Sequence, residues 1–204
     1  MTQAKTMQML RDHKTRGGNS SMKGQDVLMS SGDDAGSPNW ETPETFFDTL
    51  SEMFGLFTLD AAATAKNSKC ARYWTSKDNA LTQPWKVFGA GQAGGATFCN
   101  PPYGKGLAAW VEKGAAEAKI QGVDVIMLLP ARMDSRWFHN IVMPRANHVF
   151  FVKGRIKFKL PGKKNAATFP SIVVVFGGSG GMWAGRINGG PHFGVIEQKH
   201  NAGK

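Results

Sequence analysis

The sequence predicts an α/β domain with a mostly parallel sheet, helices on both faces and an antiparallel hairpin at one edge. Three observations predict it. Short apolar runs alternate with segments of helical periodicity. One run, Q-G-V-D-V-I-M-L-L-P, is apolar almost without break from Val123 to Leu129 and stops at Pro130, the mark of a strand buried on both faces. The last two runs, Val149 to Val152 and Ile172 to Phe176, lack a strong helix between them and so suit an antiparallel pair at an edge.

Order is expected from Trp40. Residues 1–39 include R-G-G-N-S-S-M-K-G and S-S-G-D-D-A-G-S-P. They carry too few apolar anchors to offset their ordering entropy, and read as a flexible tail that still has DNA within reach. In W-E-T-P-E-T-F-F-D-T-L-S-E-M-F-G, Thr42 suits a helix cap, Pro43 the first helical position and Glu44 the dipole. Phe46, Phe47, Leu50 and Met53/Phe54 then recur at helical spacing until Gly55. Leu56 to Leu59 reads as a short buried strand, with Asp60 at its carboxyl end and Ala61, Ala62 and Ala63 following. From Thr64 to Lys86 the pattern is irregular, and A-R-Y-W-T has the composition of a further short strand.

A flexible connection, Gly89 to Ala96, leads to the strand T-F-C and then to N-P-P-Y-G. Leu107 to Lys119 reads as a helix with Trp110, Val111 and Ala115 on one face, and another helix begins near Ser135. After Gly177 the chain turns Gly-rich. The expected organisation is a tail at 1–39, a domain at 40–178 and a second, fraying tail at 179–204.

Composition narrows the classes. The 204 residues fit one domain of ordinary size, and an apolar fraction of 41% supplies its core. A formal net charge of +10 favours an acidic partner, nucleic acid first. Two cysteines, Cys70 and Cys99, form no metal-binding pattern, so no metal is expected and a reducing cytoplasm is. Neither a signal peptide nor a membrane-spanning run is expected.

The stretch T-F-C-N-P-P-Y-G carries the chemistry. Ligands in open α/β sheets bind beyond the carboxyl ends of strands, where Asp60 and Asn100 both fall. Pro101 pushes Asn100 to extended geometry, and the Pro101 carbonyl is thereby held in place without a helical partner. The Asn100 amide oxygen and that carbonyl are then two acceptors for one primary amine. Tyr103 offers a flat face for a planar ring. Adenine and cytosine both present such a ring and amine. Alone, N-P-P-Y-G reads equally as a tight turn. The strand before it, L-D-A-A-A upstream and the T-P helix start favour the site.

The whole set of motifs resembles the phage-type, Dam-like DNA N6-adenine methyltransferases of phages and prophages. In order they are W-E-T-P, F-T-L-D-A-A-A, C-N-P-P-Y-G, V-I-M-L-L-P-A-R, W-F-H, G-R-I-K-F and F-P-S-I-V-V-V-F, spanning Trp40 to Phe176. The resemblance implies a Rossmann-like, seven-stranded methyltransferase fold that uses S-adenosylmethionine, in a bacterial or phage-infected cytoplasm. It implies that Thr42 and Pro43 line the methionine end of the cofactor and that Asp60 lies beside its amino group. It also implies that Asn100, Pro101, Pro102 and Tyr103 take the target amine. The family's Gly-rich loop is replaced here by Ala61 to Ala63, where small side chains still admit the cofactor. Asp78, in D-N-A-L, is a candidate for the cofactor ribose and equally a candidate turn cap.

The segment V-K-G-R-I-K-F-K-L-P-G-K-K carries Lys153, Arg155, Lys157, Lys159, Lys163 and Lys164 with Phe158 interleaved and no acid. It reads as a hairpin or loop contacting the phosphates of double-stranded DNA, or else as a solvated basic loop. Arg132 and Arg136 divide in the same way. Trp137 reads as a packing residue and Cys99 as a small buried strand residue; His139 has no acidic partner at a telling spacing, and none of the three is assigned catalysis. The rival functions are methylation of a protein glutamine or of cytosine N4, and a DNA-binding module with a decayed cofactor site.

Overall fold

The structure, a computed structural model, describes residues 40–86, 95–160, 163–167, 169–178 and 191–198. The expected tail at 1–39 and the connection at 87–94 lie outside the described residues. The ordered elements are α1 (Glu44–Phe54), β1 (Phe57–Asp60), β2 (Ala96–Cys99), α2 (Leu107–Gln121) and β3 (Val125–Pro130). A π-helical segment (Phe138–Val142) follows and runs into α3 (Met143–Arg145). The chain then forms β4 (His148–Lys153), β5 (Phe158–Leu160), β6 (Lys163–Ala167), β7 (Ser171–Phe176) and β8 (His192–Glu197).

Six of these strands form one mixed sheet in the order β1-β2-β3-β7-β4-β8. β1–β2, β2–β3 and β4–β8 are parallel; β3–β7 and β7–β4 are antiparallel. The sheet is therefore mostly parallel, as expected, but the antiparallel pair is not at its edge. β7 is wholly buried between β3 and β4, because Ile172 to Phe176 are apolar on both faces and need cover on both.

The edge belongs to β8, which lies where the sequence predicts a frayed tail. Its pattern is weak: Phe193 and Val195 stay exposed and only Ile196 is fully buried. At the other edge the expected strand A-R-Y-W-T is no strand. It contributes a single bridge, Tyr73 to Asp60, with backbone bonds Asp60 N to Arg72 O (3.0 Å) and Trp74 N to Asp60 O (2.9 Å). The main sheet thus has six strands among the described residues, against the seven that the resemblance implies.

Two cores flank the sheet. On one face α1 sets Phe46, Phe47, Leu50 and Phe54 against Phe57, Phe98, Ile126 and Val173. Phe47, Phe57 and Phe98 meet at ring separations of 5.2 to 5.8 Å. On the other face α2 packs Trp110, Val111 and Ala115 over Met127 and Leu129. Gly114 makes that approach feasible, since a Cβ there would stand 2.6 Å from the Met127 sulfur. Gly122 ends α2 in the left-handed conformation (φ 66°), which glycine adopts without strain. The helix expected near Ser135 forms with a π-helical stretch in it: Met143 N bonds back to Phe138 O. Pro144 follows and has no N–H to continue the ordinary ladder.

α1 starts one residue later than expected. Pro43, not Thr42, holds the cap position, and its carbonyl accepts from the N–H groups of Phe46 and Phe47, both at 3.1 Å. No side chain caps this helix. The Thr42 hydroxyl is engaged elsewhere.

Candidate active site

Parallel pairing brings the predicted site residues together. Asp60 at the end of β1 pairs with Phe98 of β2, so Asn100, two residues on, emerges on the same rim. Both line a cleft of about 220 Å³, measured with its open mouth, together with Trp40, Glu41, Thr42, Ala62, Asn67, Lys69 and Phe98. Ala61 is fully buried and its N–H donates to Phe98 O at 2.8 Å, which carries the strand pairing past Asp60.

Asp60 is only 3% exposed. Its carboxylate accepts from Ala62 N–H at 3.3 Å and from Lys69 N–H at 3.0 Å. Burial pushes its pKa up to about 6, and these two bonds and the Lys69 charge pull in the other direction. Lys69 is tied outward to the Glu44 carboxylate, so the loop between Ala61 and Cys70 is strapped to α1 over the buried acid. Asn67 Oδ1 closes that loop by accepting from the backbone N–H (2.7 Å) and hydroxyl (3.0 Å) of Thr64. The sequence reading missed Asn67 and Lys69. Their only signal is T-A-K-N, a turn signature.

Asn100 Nδ2 donates to the Trp40 carbonyl (2.6 Å) and to the Thr42 hydroxyl (3.1 Å). Its Oδ1 is buried and meets no hydrogen-bond partner among the described residues. An unmet buried acceptor costs about 1–3 kcal/mol, a penalty that a donor arriving from a ligand removes. Pro101 is buried and Pro102 half-buried. Tyr103 is half-buried, and its hydroxyl donates to the Leu128 carbonyl at 3.1 Å. Burial, and Cys99 beside it, raise the phenol's pKa well above its ordinary value, so it remains a neutral ring. Tyr103 joins an aromatic group unforeseen in the sequence. Phe169 lies 5.4 Å from it edge-on, Phe158 stacks on Phe169 at 5.1 Å, and Trp40 lies 5.8 Å from Phe169.

Phe158, expected between exposed cations, is fully buried; leading into β5 the chain turns Ile156 and Phe158 inward and Lys157 and Lys159 outward. The expected hairpin is present as β5–β6. It stands beside the cleft because Lys159 and Glu41 exchange backbone bonds (2.9 and 3.1 Å). Arg155 is also exposed. Lys153 pairs with Glu197 of β8 at 2.8 Å, so one cation of the segment has an acid the sequence reading did not supply. The backbones of Lys163 and Lys164 belong to β6, and their side chains lie outside the described residues. Arg132 and Arg136 are exposed, Arg132 just beyond β3. His139 is exposed; Trp137 is half-buried against the core, as expected.

Asp78 is not at the cleft. It is exposed, and its carboxylate accepts from the Thr75 N–H (2.8 Å) and hydroxyl (2.6 Å), which holds its pKa below the usual range. Of the two roles left open, the geometry is that of a cap, on the turn before it. Burial, with Asp60 nearby, keeps the Cys70 thiol up at about 12, and Cys99 is pushed well above its ordinary value by the same causes. Both thiols are thereby held in the protonated, weakly nucleophilic form. Among the described residues no helix is long and apolar enough to cross a membrane, and no group of three acidic, His or Cys side chains forms a metal site.

Residues 30–176 match the protein family described as DNA N-6-adenine-methyltransferase (Dam). Three relatives are similar over parts of the chain. YfdM of Escherichia coli (strain K12), provisionally named a methyltransferase, is 44% identical over 64 residues, 31% of this chain and 69% of that protein. The DNA N-6-adenine-methyltransferase of Haemophilus phage HP1 (strain HP1c1) is 28% identical over 120 residues, 58% of this chain and 65% of that one. Its namesake in Escherichia phage T1 is 31% identical over 99 residues, 48% of this chain and 38% of that one.

Proposed function

The chain belongs to the DNA N-6-adenine-methyltransferase (Dam) family, and on that premise we propose that it methylates N6 of adenine in double-stranded DNA, with S-adenosylmethionine as donor and Asn100 to Tyr103 as the catalytic loop. The observation that carries the proposal is the buried, unmet Oδ1 of Asn100 at a strand's carboxyl end. A primary amine supplies the donor it lacks.

The domain is read as a Rossmann-like methyltransferase domain, residues 40–178 with β8 added to its edge. The residues at the cleft suit the cofactor. Asp60 offers a buried carboxylate to a cationic amino group, and small Ala61 and Ala62 leave room beside it. The cleft lies between Asp60 and Asn100, and it suits the amino-acid end of the cofactor. Pro43 and Asn100 border that end, and Thr42 stands in the cleft wall behind Asn100. When bound, the cofactor supplies an electrophilic methyl group on a sulfonium.

The protein's own work is positioning and desolvation. The target adenine leaves the duplex, at a cost of a few kcal/mol, because its amine is otherwise paired within the stack. Tyr103, anchored through its hydroxyl on Leu128, presents its ring to the extruded base. Asn100 Oδ1 and the Pro101 carbonyl accept the two amine hydrogens. That holds the nitrogen in the pyramidal geometry whose lone pair is free to react, a stabilisation that grows toward the transition state. Arg155, Lys157 and Lys159, with Lys153, Lys163 and Lys164 of the same segment, contact the phosphates flanking the site. The substrate places the enzyme in the cytoplasm of a bacterial or phage-infected cell.

The test is methyl transfer from labelled S-adenosylmethionine to unmethylated duplex DNA, followed by nucleoside analysis. Label is expected in N6-methyladenine and absent with Asn100→Ala. Label in N4-methylcytosine, or in protein and not in DNA, would overturn the proposal.

A further inference from the structure

An asparagine amide has nearly the same shape when its oxygen and nitrogen exchange places, yet only one arrangement serves the proposed reaction. The oxygen must face the amine, and nothing in N-P-P-Y itself selects that arrangement. The selection comes from a segment far away in the chain. The Trp40 carbonyl, which only accepts, stands 2.6 Å from Asn100 Nδ2, and the Thr42 hydroxyl offers a second acceptor at 3.1 Å. Exchanging the amide ends would set oxygen against the Trp40 oxygen and leave the nitrogen buried without an acceptor.

The strap that carries these acceptors is itself held. Glu41 exchanges both backbone bonds with Lys159 of β5. Trp40 packs 6.4 Å from Phe158 and 5.8 Å from Phe169. Thr42 is 5% exposed, so little of it meets water. Its oxygen is also free of the helix, because Pro43 occupies the cap position.

We propose that Thr42 is a positioning residue for Asn100: with the Trp40 carbonyl, its hydroxyl fixes the amide so that Oδ1 faces the reacting amine, and the β5–β6 hairpin keeps the strap in register. This rests on the function proposed above and goes beyond it, since Thr42 acts through the catalytic amide and not on the cofactor.

Two substitutions test it. Thr42→Val keeps the shape and removes the acceptor; Thr42→Ser keeps the hydroxyl. Wild type and both variants are assayed for kcat and for KM with duplex DNA, and titrated for S-adenosylmethionine affinity. Thr42→Val is expected to lower kcat about five- to tenfold, the value of one hydrogen bond, with cofactor Kd and DNA KM within about twofold. Thr42→Ser is expected to return kcat to within about twofold of wild type. Thr42→Ala carries the same expectation as Thr42→Val should that variant fold poorly. Weaker cofactor binding with kcat unchanged at saturation would overturn the inference and make Thr42 a direct cofactor contact instead. An active wild type with Thr42→Val indistinguishable from it would overturn it too. A wild type that transfers no methyl group overturns the proposed function, and this inference falls with it.

Discussion

Two neighbouring turns are built alike and end differently. In Thr64 to Asn67 and in Thr75 to Asp78, a side-chain oxygen at the fourth position accepts from the N–H and hydroxyl of the threonine that opens the turn. Lys66 N–H and Lys77 N–H each bond back to that threonine's hydroxyl, both at 3.3 Å. The first turn leads to Lys69, whose N–H binds the buried Asp60, and its Asn67 lines the cleft. The second stays exposed; its Asp78 carboxylate serves Thr75, and its backbone carbonyl accepts from the Gln83 amide. The difference teaches that such a turn reports local conformation alone. Whether it belongs to a site depends on what the sheet buries beneath it.

The contrast between the two acids is sharpest for the cofactor. Asp60→Asn is expected to weaken S-adenosylmethionine binding about 10- to 100-fold, the range of a lost charge-assisted hydrogen bond. Asp78→Asn is expected to leave it within about twofold by the same titration. Comparable losses in both would erase the distinction and return Asp78 to the cofactor.

The pH response sharpens it next. With Asp60 raised to about 6, cofactor affinity is expected to fall about tenfold for each pH unit below that value. Asp60→Asn removes this dependence. For the unliganded fold the sign is opposite. A carboxyl raised on folding stabilises the protein below its unfolded pKa, and that contribution is lost as pH rises through about 6. Melting temperatures of wild type and Asp60→Asn across pH 4 to 7 measure it. Asp78, held low, behaves conversely: its contribution is present above its unfolded pKa and is lost as pH falls through the lowered value. The smallest effect is that of Asp78→Ala, a slight fall in melting temperature at neutral pH with methyl transfer unchanged.

The fold was legible where its periodicity is strong. The run from Val125 to Pro130 and the pair β4 and β7 stand close to where the sequence places them, because buried strands need uninterrupted apolar side chains. Sheet order was not legible. β7 lies inside the sheet and β8 at its edge, since strand neighbours are chosen by long-range packing that leaves no local trace. β8 was missed because an edge strand buries little: Phe193 and Val195 point to solvent and Gly194 breaks the run. T-P-E predicts Thr42 as the cap of α1. It gave way because Asn100, packed against it from β2, claims its hydroxyl.

By itself the sequence determined the stiff parts. Pro101 and Pro102 restrict the backbone whatever surrounds them, a short apolar strand delivers Asn100 to a rim, and the order of the motifs carries the family. Only the tertiary structure decided how these parts act. It set Asp60 beside Asn100 by pairing β1 with β2, raised the Asp60 pKa by burying it, and left Asp78 in water. It also chose which end of the Asn100 amide faces the cleft, through acceptors 58 and 60 residues away in the chain. The physical reason is range. Backbone preference acts over a few neighbouring residues, whereas burial and hydrogen-bond partners depend on whatever the fold brings near.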